Sequence, residues 1–378
     1  MDAPGTATAL FVANRAYALR SSRLMLIQRL INAGWKVVIA TARDEHSDIL
    51  EAEGAIIEPL SFDRGGVSPI NDVRSFVFLS KLLLKYRPHL VHHFHAKPVA
   101  LGTAAAALFS KAKIVNTITG LGHAFIKGGL TYHLSKWAYR AVLRFSHAVI
   151  FLNRDDLALF VHRGWVSADR SRLIVSSGVD TSRFRPLDQP EHSEEPRILM
   201  ISRLLWQKGI AEFIAAASTV KERIPNARFQ LAGEWDLAHP DAVSSEAIEK
   251  AVSDGSIEFL GYVDHVEKIL PSSTLLVHPS YREGVPRVLV EAAACGVPAV
   301  AFDVPGCREA IVDGVTGVLV KERSAKALAA AIATLLLNDD SRRALAGAAR
   351  SIATTKFDIR AVTHRTLDVY RELGLTIQ

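Results

Sequence analysis

The chain has 378 residues, 49% of them hydrophobic, enough to bury more than one core and to favour two domains over one. Its two cysteines, Cys295 and Cys307, give no disulfide framework, which sets aside a stapled secreted domain and makes a reducing cytosol the default. The net charge of +6 is uneven, with 24 Lys and Arg against 14 Asp and Glu in residues 1–190, and 21 against 25 in residues 191–378.

A basic first half fits an anionic partner. The sequence carries no helix-turn-helix, zinc or aromatic-platform motif, so a phospholipid surface or a diphosphate-bearing molecule fits better than nucleic acid. Scattered solubility charge is the plainer alternative. The opening residues lack a basic segment followed by a long apolar one, so no signal peptide is expected. No window reaches about 18 apolar residues, so no transmembrane helix is expected either.

Taken in order, Ala7–Ala13 reads as a buried strand, followed by a loop at Asn14 and Arg15 and an amphipathic helix to about Asn32. Lys36–Ala40 is a second strand and Ala55–Leu60 a third, the opening of a doubly wound domain. Asp72–Tyr86 reads as a helix stopped before Pro88. Leu90–His95 is then a strand, on which alternation sends His93 and His95 one way and His92 the other. Two histidines with no acidic neighbour do not make a zinc site, so no metal is expected there. His95 and Lys97 instead fall at the strand's carboxyl end, where a substrate would sit.

Lys113–Thr119 is the next strand, and Gly120 and Gly122 after it permit a tight turn or a close ligand approach beside His123. Gly129–Ala148 reads as a helix with Lys136, Arg140 and Arg144 on one face, bordered by Trp137 and Phe145. That pattern fits a helix against anionic lipid as well as it fits a core helix with a solvated basic face. Val149–Asn153 and Leu173–Val175 are further strands, separated by a helix from Asp155 to near Gly164. The polar run Asp188–Pro196 is the expected linker.

Arg197–Ile201 restarts a strand and leads to Arg203 and Lys208 on a strand-to-helix loop, two cations suited to a diphosphate. Phe229–Glu234 is a strand and turn with Gly233 beside the same region, and Ile257–Val263 is another strand. Leu275–Val277, a loop through Glu283, a helix from about Val288 to a left-handed cap at Gly296, and a strand from Val297 to Phe302 form one βαβ unit. Glu283 and Glu291 flank the N–H groups of the helix's first turn. Carboxylates around an anion-attracting terminus suit a ligand with both phosphate and hydroxyls, such as a nucleotide sugar. After Ser324 comes an alanine-rich helix, and a last helix begins near Phe357.

Residues 283–320 resemble the donor-binding signature of the retaining family 4 glycosyltransferases of the GT-B fold, and Ser202–Leu204 with Lys208 and Gly209 resembles that family's diphosphate pair. The resemblance implies an α/β GT-B fold, two doubly wound Rossmann-like domains facing a central cleft. The expected domains are 1–190 for the acceptor, 191–356 for the nucleotide sugar, and a helix at 357–378 crossing back to the first. It implies a hexosyltransferase acting with retention, in which Arg203, Lys208 and Glu283 carry the chemistry; because cations and a helix dipole meet the diphosphate and no Asp-x-Asp motif occurs, metal independence is expected. Glu291 would take the ribose, Val263 the nucleobase, and the backbone of Gly284, Val285, Pro286, Arg287 and Val288 the phosphates, with Gly233 alongside.

The segments around His95 and Lys97 and around Thr119 to Gly122 resemble bacterial transferases acting on polyprenyl-diphosphate-linked sugars. This points to Asn14, His95, Lys97, Thr119 and His123 for the acceptor. The glycine-rich loop many relatives carry after the first strand is replaced here by Asn14, Arg15, Ala16 and Tyr17. The co-substrate expected is a nucleotide sugar, UDP-linked, with no separate cofactor, and the protein is expected on the cytoplasmic face of a membrane. An epimerase of similar fold, a non-catalytic sugar-nucleotide-binding subunit and a transferase to a soluble or protein acceptor are the competing readings.

Overall fold

The structure is a computed structural model that describes residues 6–62, 68–120, 129–188, 195–237 and 239–377, with the side chains of 129–135 left out. It divides into two compact units, one of residues 1–177 with 359–378 and one of residues 178–358.

The described residues of the first unit form a seven-stranded parallel sheet in the order β3-β2-β1-β4-β5-β6-β7. The strands are β1 (Thr8–Val12), β2 (Lys36–Thr41), β3 (Ile56–Pro59), β4 (Leu90–Phe94), β5 (Lys113–Ile118), β6 (Ala148–Phe151) and β7 (Ser171–Leu173). Central strands β1 and β4 are buried at every residue, as expected of a sheet covered on both faces. Helices α1 (Ala16–Asn32), α2 (Ser47–Ala52), α3 (Pro69–Tyr86), α4 (Thr103–Phe109), α5 (Gly129–Leu143) and α6 (Arg154–His162) connect them. Proline at the first position of α3 costs no hydrogen bond, and Arg87 ends the helix in a left-handed conformation at φ +42°. Asn153 caps α6 by accepting from the Asp156 N–H.

The second unit has, among its described residues, a six-stranded parallel sheet ordered β10-β9-β8-β11-β12-β13. These are β8 (Arg197–Ile201), β9 (Arg228–Ala232), β10 (Glu258–Gly261), β11 (Leu275–His278), β12 (Ala299–Phe302) and β13 (Gly317–Val320). Its helices are α7 (Ile210–Lys221), α8 (Ser245–Ser253), α9 (Val266–Ile269), α10 (Arg287–Ala294), α11 (Cys307–Ala310), α12 (Ala325–Leu336) and α13 (Asp339–Lys356). Phe213 of α7 packs on Phe229 of β9, both fully buried, and each such ring stabilises the unit by roughly 2–3 kcal/mol. A last helix, α14 (Ile359–Glu372), belongs to the first unit, where Tyr370 is fully buried and the Trp35 indole donates to the Thr376 carbonyl.

Both sheets reverse direction once. The chain moves outward from β1 to β3 and returns to β4 on the other side of β1, and it repeats this from β8 to β10 and back to β11. The carboxyl ends of β1 and β4, and of β8 and β11, are therefore the switch points at which doubly wound sheets take ligands.

Four expectations need correction. The units part at Ser177 and Gly178, not at 190, and again at Asp358 and Ile359. The reason is local bonding: the Val179 N–H donates to Phe357, Thr181 donates to Asp358, and Arg350 donates to the carbonyls of Thr181 and Phe184. α5 stops at Leu143, before Arg144, because a turn at Phe145 and Ser146 feeds β6 directly. The alanine-rich segment after Ser324 is two helices, divided where Asn338 caps α13. His95 leaves the strand at φ +73°, so alternation does not place it with His93.

Candidate active site

At the β8–β11 switch point, two loops are pressed together by backbone contact. Gly209, at φ +80°, lies against the carbonyl of Pro279, and a Cβ on it would stand 2.1 Å from that oxygen. Only glycine permits both the conformation and the approach. The Tyr281 N–H donates to the Gln207 carbonyl at 3.0 Å and completes the seam. This seam brings Lys208, from the loop after β8, to Glu283, from the loop after β11, at 2.5 Å. His278, the last residue of β11, reaches the same Glu283 oxygen at 3.0 Å through Nε2.

A carboxylate only accepts, so His278 presents Nε2–H to it. Burial by itself would raise the Glu283 pKa, but the Lys208 ammonium and the His278 hydrogen bond outweigh burial and hold the carboxyl well below the usual carboxylate range. Glu283 is thus an anion across the ordinary pH range. Beneath it, Gly306 backs the loop: its Cβ would stand 2.2 Å from the Gly284 carbonyl oxygen and 2.8 Å from that of Glu283.

α10 starts at Arg287, one residue earlier than the periodicity indicated, with Pro286 as its N-cap and no side-chain cap. Pro286 has no N–H, so the donors near this terminus are those of Val285 and of Arg287 onward. Val285 and Val288 are buried and Gly284 lies at the turn. Glu291 is nearly buried and accepts from Arg287 at 2.9 Å, one helical turn away. Gly233 brings the loop after β9 to within a Cβ's 2.0 Å of the Ser202 carbonyl. Arg203 next to it is half exposed and paired with Asp236 at 3.1 Å, not with Glu283. Val263 is half-buried beyond β10. Around Lys208 the fold therefore gathers Glu283, Gly284 and the start of α10, with Arg203 and Gly233 on the loops beside them.

In the first unit, Asn14 follows β1 and His95 follows β4, so both stand at its switch point. The Asn14 Oδ1 and the His95 Nδ1 are enclosed and have no hydrogen-bond partner among the described residues. Burial pushes the His95 imidazole down to about 4. Lys97 is held by Asp72 of α3 at 2.8 Å, and Thr119 is half-buried just past β5. His123 lies outside the described residues. His92 and His93 are core groups: His92 bonds Tyr370 and Thr117, and His93 bonds Asn116. Among the described residues no three His, Cys, Asp or Glu are placed to hold a metal ion.

Residues 184–352 match the family model "Glycosyl transferases group 1", and residues 9–153 match "Glycosyl transferase 4-like". The chain belongs to the GT-B glycosyltransferases. This glycosyltransferase is 27% identical over 375 residues, 95% of its own length and 97% of the relative's, to the Campylobacter jejuni N,N'-diacetylbacillosaminyl-diphospho-undecaprenol alpha-1,3-N-acetylgalactosaminyltransferase. It is 26% identical, over 64% of each chain, to the Escherichia coli UDP-Gal:alpha-D-GlcNAc-diphosphoundecaprenol alpha-1,3-galactosyltransferase. Its fold is similar to that of an Anabaena protein crystallised with UDP and glucose, at a TM-score of 0.79 and 18% identity over 97% of this chain and all of the other.

Several residues at the glycosyltransferase's site escaped the sequence reading. His278 carries no signal because the apolar run that marks the strand ends at Val277, one residue before the strand itself does. Asp236 and Asp72 are single acids in loops or helix starts with no motif to mark them. Gly306 carries a signal, a glycine after proline, but its contact with the Glu283 loop exists only in three dimensions.

Proposed function

We propose that this chain is a retaining, metal-independent glycosyltransferase that moves a hexose or N-acetylhexosamine from a UDP-linked donor to a polyprenyl-diphosphate-linked sugar during surface glycan synthesis. The observation that carries the proposal is the mostly buried Lys208–Glu283 pair at the β8–β11 switch point, beside the uncapped start of α10. Lys208 is one cation for the leaving diphosphate, and the first-turn N–H groups of α10 add the positive end of a helix dipole. Arg203 supplies a second charge once it exchanges Asp236 for phosphate. These groups do the work that a divalent ion does in metal-dependent transferases, stabilising charge that grows as the sugar–phosphate bond breaks. Glu283 accepts from the sugar hydroxyls and Glu291 from the ribose. The acceptor's proton goes to the leaving phosphate.

The acceptor class is supported by the substrates in the names of the Campylobacter and Escherichia relatives, and by Asn14, His95 and Lys97 at or near the first unit's switch point. A membrane surface as partner is supported by α3, whose outer face exposes Ile70, Val73, Val77 and Leu84 among Arg74, Lys81 and Lys85. α4 packs between α3 and α5 and adds Leu108 and Phe109, and α5 exposes Trp137 with Arg140 over its ring. Exposed apolar residues interleaved with cations suit the interface of an anionic bilayer. No helix among the described residues is long and apolar enough to cross a membrane.

The test is release of UDP from a panel of UDP-sugars in EDTA, with and without a polyprenyl-diphosphate-linked sugar. Acceptor-dependent release that survives EDTA and is lost in Glu283→Ala is expected. A requirement for a divalent ion would overturn the electrostatic reading, and full activity of Glu283→Ala would overturn the site.

A further inference from the structure

We infer that His278 is the positioning residue that decides which oxygen of Glu283 meets the donor sugar. The inference rests on the reading above, in which Glu283 binds the sugar. Both contacts to the carboxylate fall on one atom: Lys208 Nζ and His278 Nε2 each reach Oε1. Oε2 takes neither. With Oε1 pinned from two sides, the carboxylate has one orientation, and Oε2 is the atom that faces a ligand.

His278 is built for this and for little else. Its side chain is 4% exposed, at the end of a strand buried at every residue. Its Nδ1 is enclosed and has no partner among the described residues. Facing a carboxylate, which only accepts, Nε2 is the ring nitrogen that presents its hydrogen to Glu283. Because no ligand atom reaches a ring so enclosed, His278 acts through Glu283 and not on substrate. Lys208 alone would leave the carboxylate free to turn about a single point charge. A directional N–H from a rigid strand removes that freedom, which is how a supporting group tightens a binding constellation. The pinning also gives the loops a common frame. The β11 end that carries His278 continues into Pro279, whose carbonyl meets Gly209 beside Lys208. One backbone seam therefore sets both groups that hold Oε1.

The experiment compares His278→Gln with His278→Met. The two side chains have similar length and volume, but only glutamine places an N–H near the imidazole Nε2 position. His278→Asn, whose amide falls short of Glu283, is a second donor-deficient variant should methionine misfold. Expected for Met and Asn is a kcat lowered roughly ten- to a hundredfold, the scale of a misplaced group of this kind, with UDP affinity within about twofold of wild type, since this role touches the sugar and not the nucleotide. Gln is expected to recover most of the lost kcat. In a Glu283→Gln background the Met and Gln variants are expected to bind the UDP-sugar equally. Equal kcat for Met and Gln at 278, or a parallel loss of UDP affinity, would overturn the role of His278. If Glu283→Ala itself keeps full activity, the reading of the site fails first, and that result is separable from either outcome at 278.

Discussion

Replacing Gly306 with alanine separates the two ways in which glycine matters to this site. Gly306 sits at φ +85° and ψ −43°, a region closed to L-residues, so any Cβ costs about 1–2 kcal/mol in backbone strain. The same Cβ would stand 2.2 Å from the Gly284 carbonyl oxygen and 2.8 Å from that of Glu283, both backbone atoms. Relief requires the loop to move by about 1 Å, and forcing added volume into a packed site typically costs about 1–3 kcal/mol more. Gly314 is the internal control. Its φ is +71°, but nothing lies within 4 Å of its Cβ, so Gly314→Ala carries the strain alone.

For a unit of this size, about 1 kcal/mol shifts the melting temperature by about 2–4 °C. Gly306→Ala is therefore expected to melt roughly 4–20 °C lower and Gly314→Ala only about 2–8 °C lower. Activity should separate them further. A 1 Å displacement of Glu283 is worth about a hundredfold in turnover, whereas Gly314→Ala should turn over normally. The assay is a thermal melt of each variant with UDP release measured well below its melting point. If the two alanines melt alike, or if folded Gly306→Ala turns over at the wild-type rate, the proposed brace between the β12 loop and Glu283 is wrong.

Three more expectations follow from the charges. Lys208→Met leaves Glu283 enclosed without its cation, and loss of one partner from such a pair costs about 3–5 kcal/mol. Adding Glu283→Gln should restore much of that stability in a urea melt while activity stays lost. Asp236→Asn removes the partner of the half-exposed Arg203. A surface pair is worth at most about 1 kcal/mol, so UDP affinity by calorimetry should rise, by no more than about fivefold. The third concerns pH. Burial depresses the His93 imidazole to about 4 from its ordinary 6.5, and holds His92 well below its ordinary value too. A depressed folded value means the unfolded chain takes up protons first, so the contribution is complete above about pH 6.5 and falls as pH drops toward 4. For His93 the loss amounts to about 3 kcal/mol. Urea melts at pH 7 and 5 should show it, with a smaller pH dependence in His93→Gln, and a pH-independent midpoint would refute it.

The sequence made the repeating strands legible because parallel strands buried on both faces are continuous apolar runs, and Arg197–Ile201 was bounded to the residue. It put Glu283 at the start of α10 because that placement follows from a βαβ unit, while Lys208 was joined to them only through the resemblance of its loop to a diphosphate-binding pair. It failed where the deciding contact is tertiary. The seam at Ser177 is set by partners distant in sequence, and the end of α5 and the left-handed turn at His95 are breaks that no period of 2 or 3.6 encodes. His278 shows the limit most clearly. A lone histidine on an apolar strand reads as core, and only its distance to Glu283 gives it a role.

The same distances change how the cations of the site should be understood. As read from sequence, Arg203, Lys208 and Lys97 are bare positive charges waiting for phosphate. In the folded chain each is already paired, with Asp236, Glu283 and Asp72 respectively. An incoming anion must therefore compete with a carboxylate for each cation it uses. A ligand bearing a single charge gains little from such an exchange, because the displaced carboxylate is left without its partner. A diphosphate that also offers sugar hydroxyls gains more, since it presents several acceptor oxygens to Lys208 and to the N–H groups of α10 while its hydroxyls donate to Glu283 Oε2, the oxygen that Lys208 and His278 leave open. Pairing the cations in advance thus favours the ligand that satisfies both members of the Lys208–Glu283 pair, and it disfavours free phosphate, which satisfies only one.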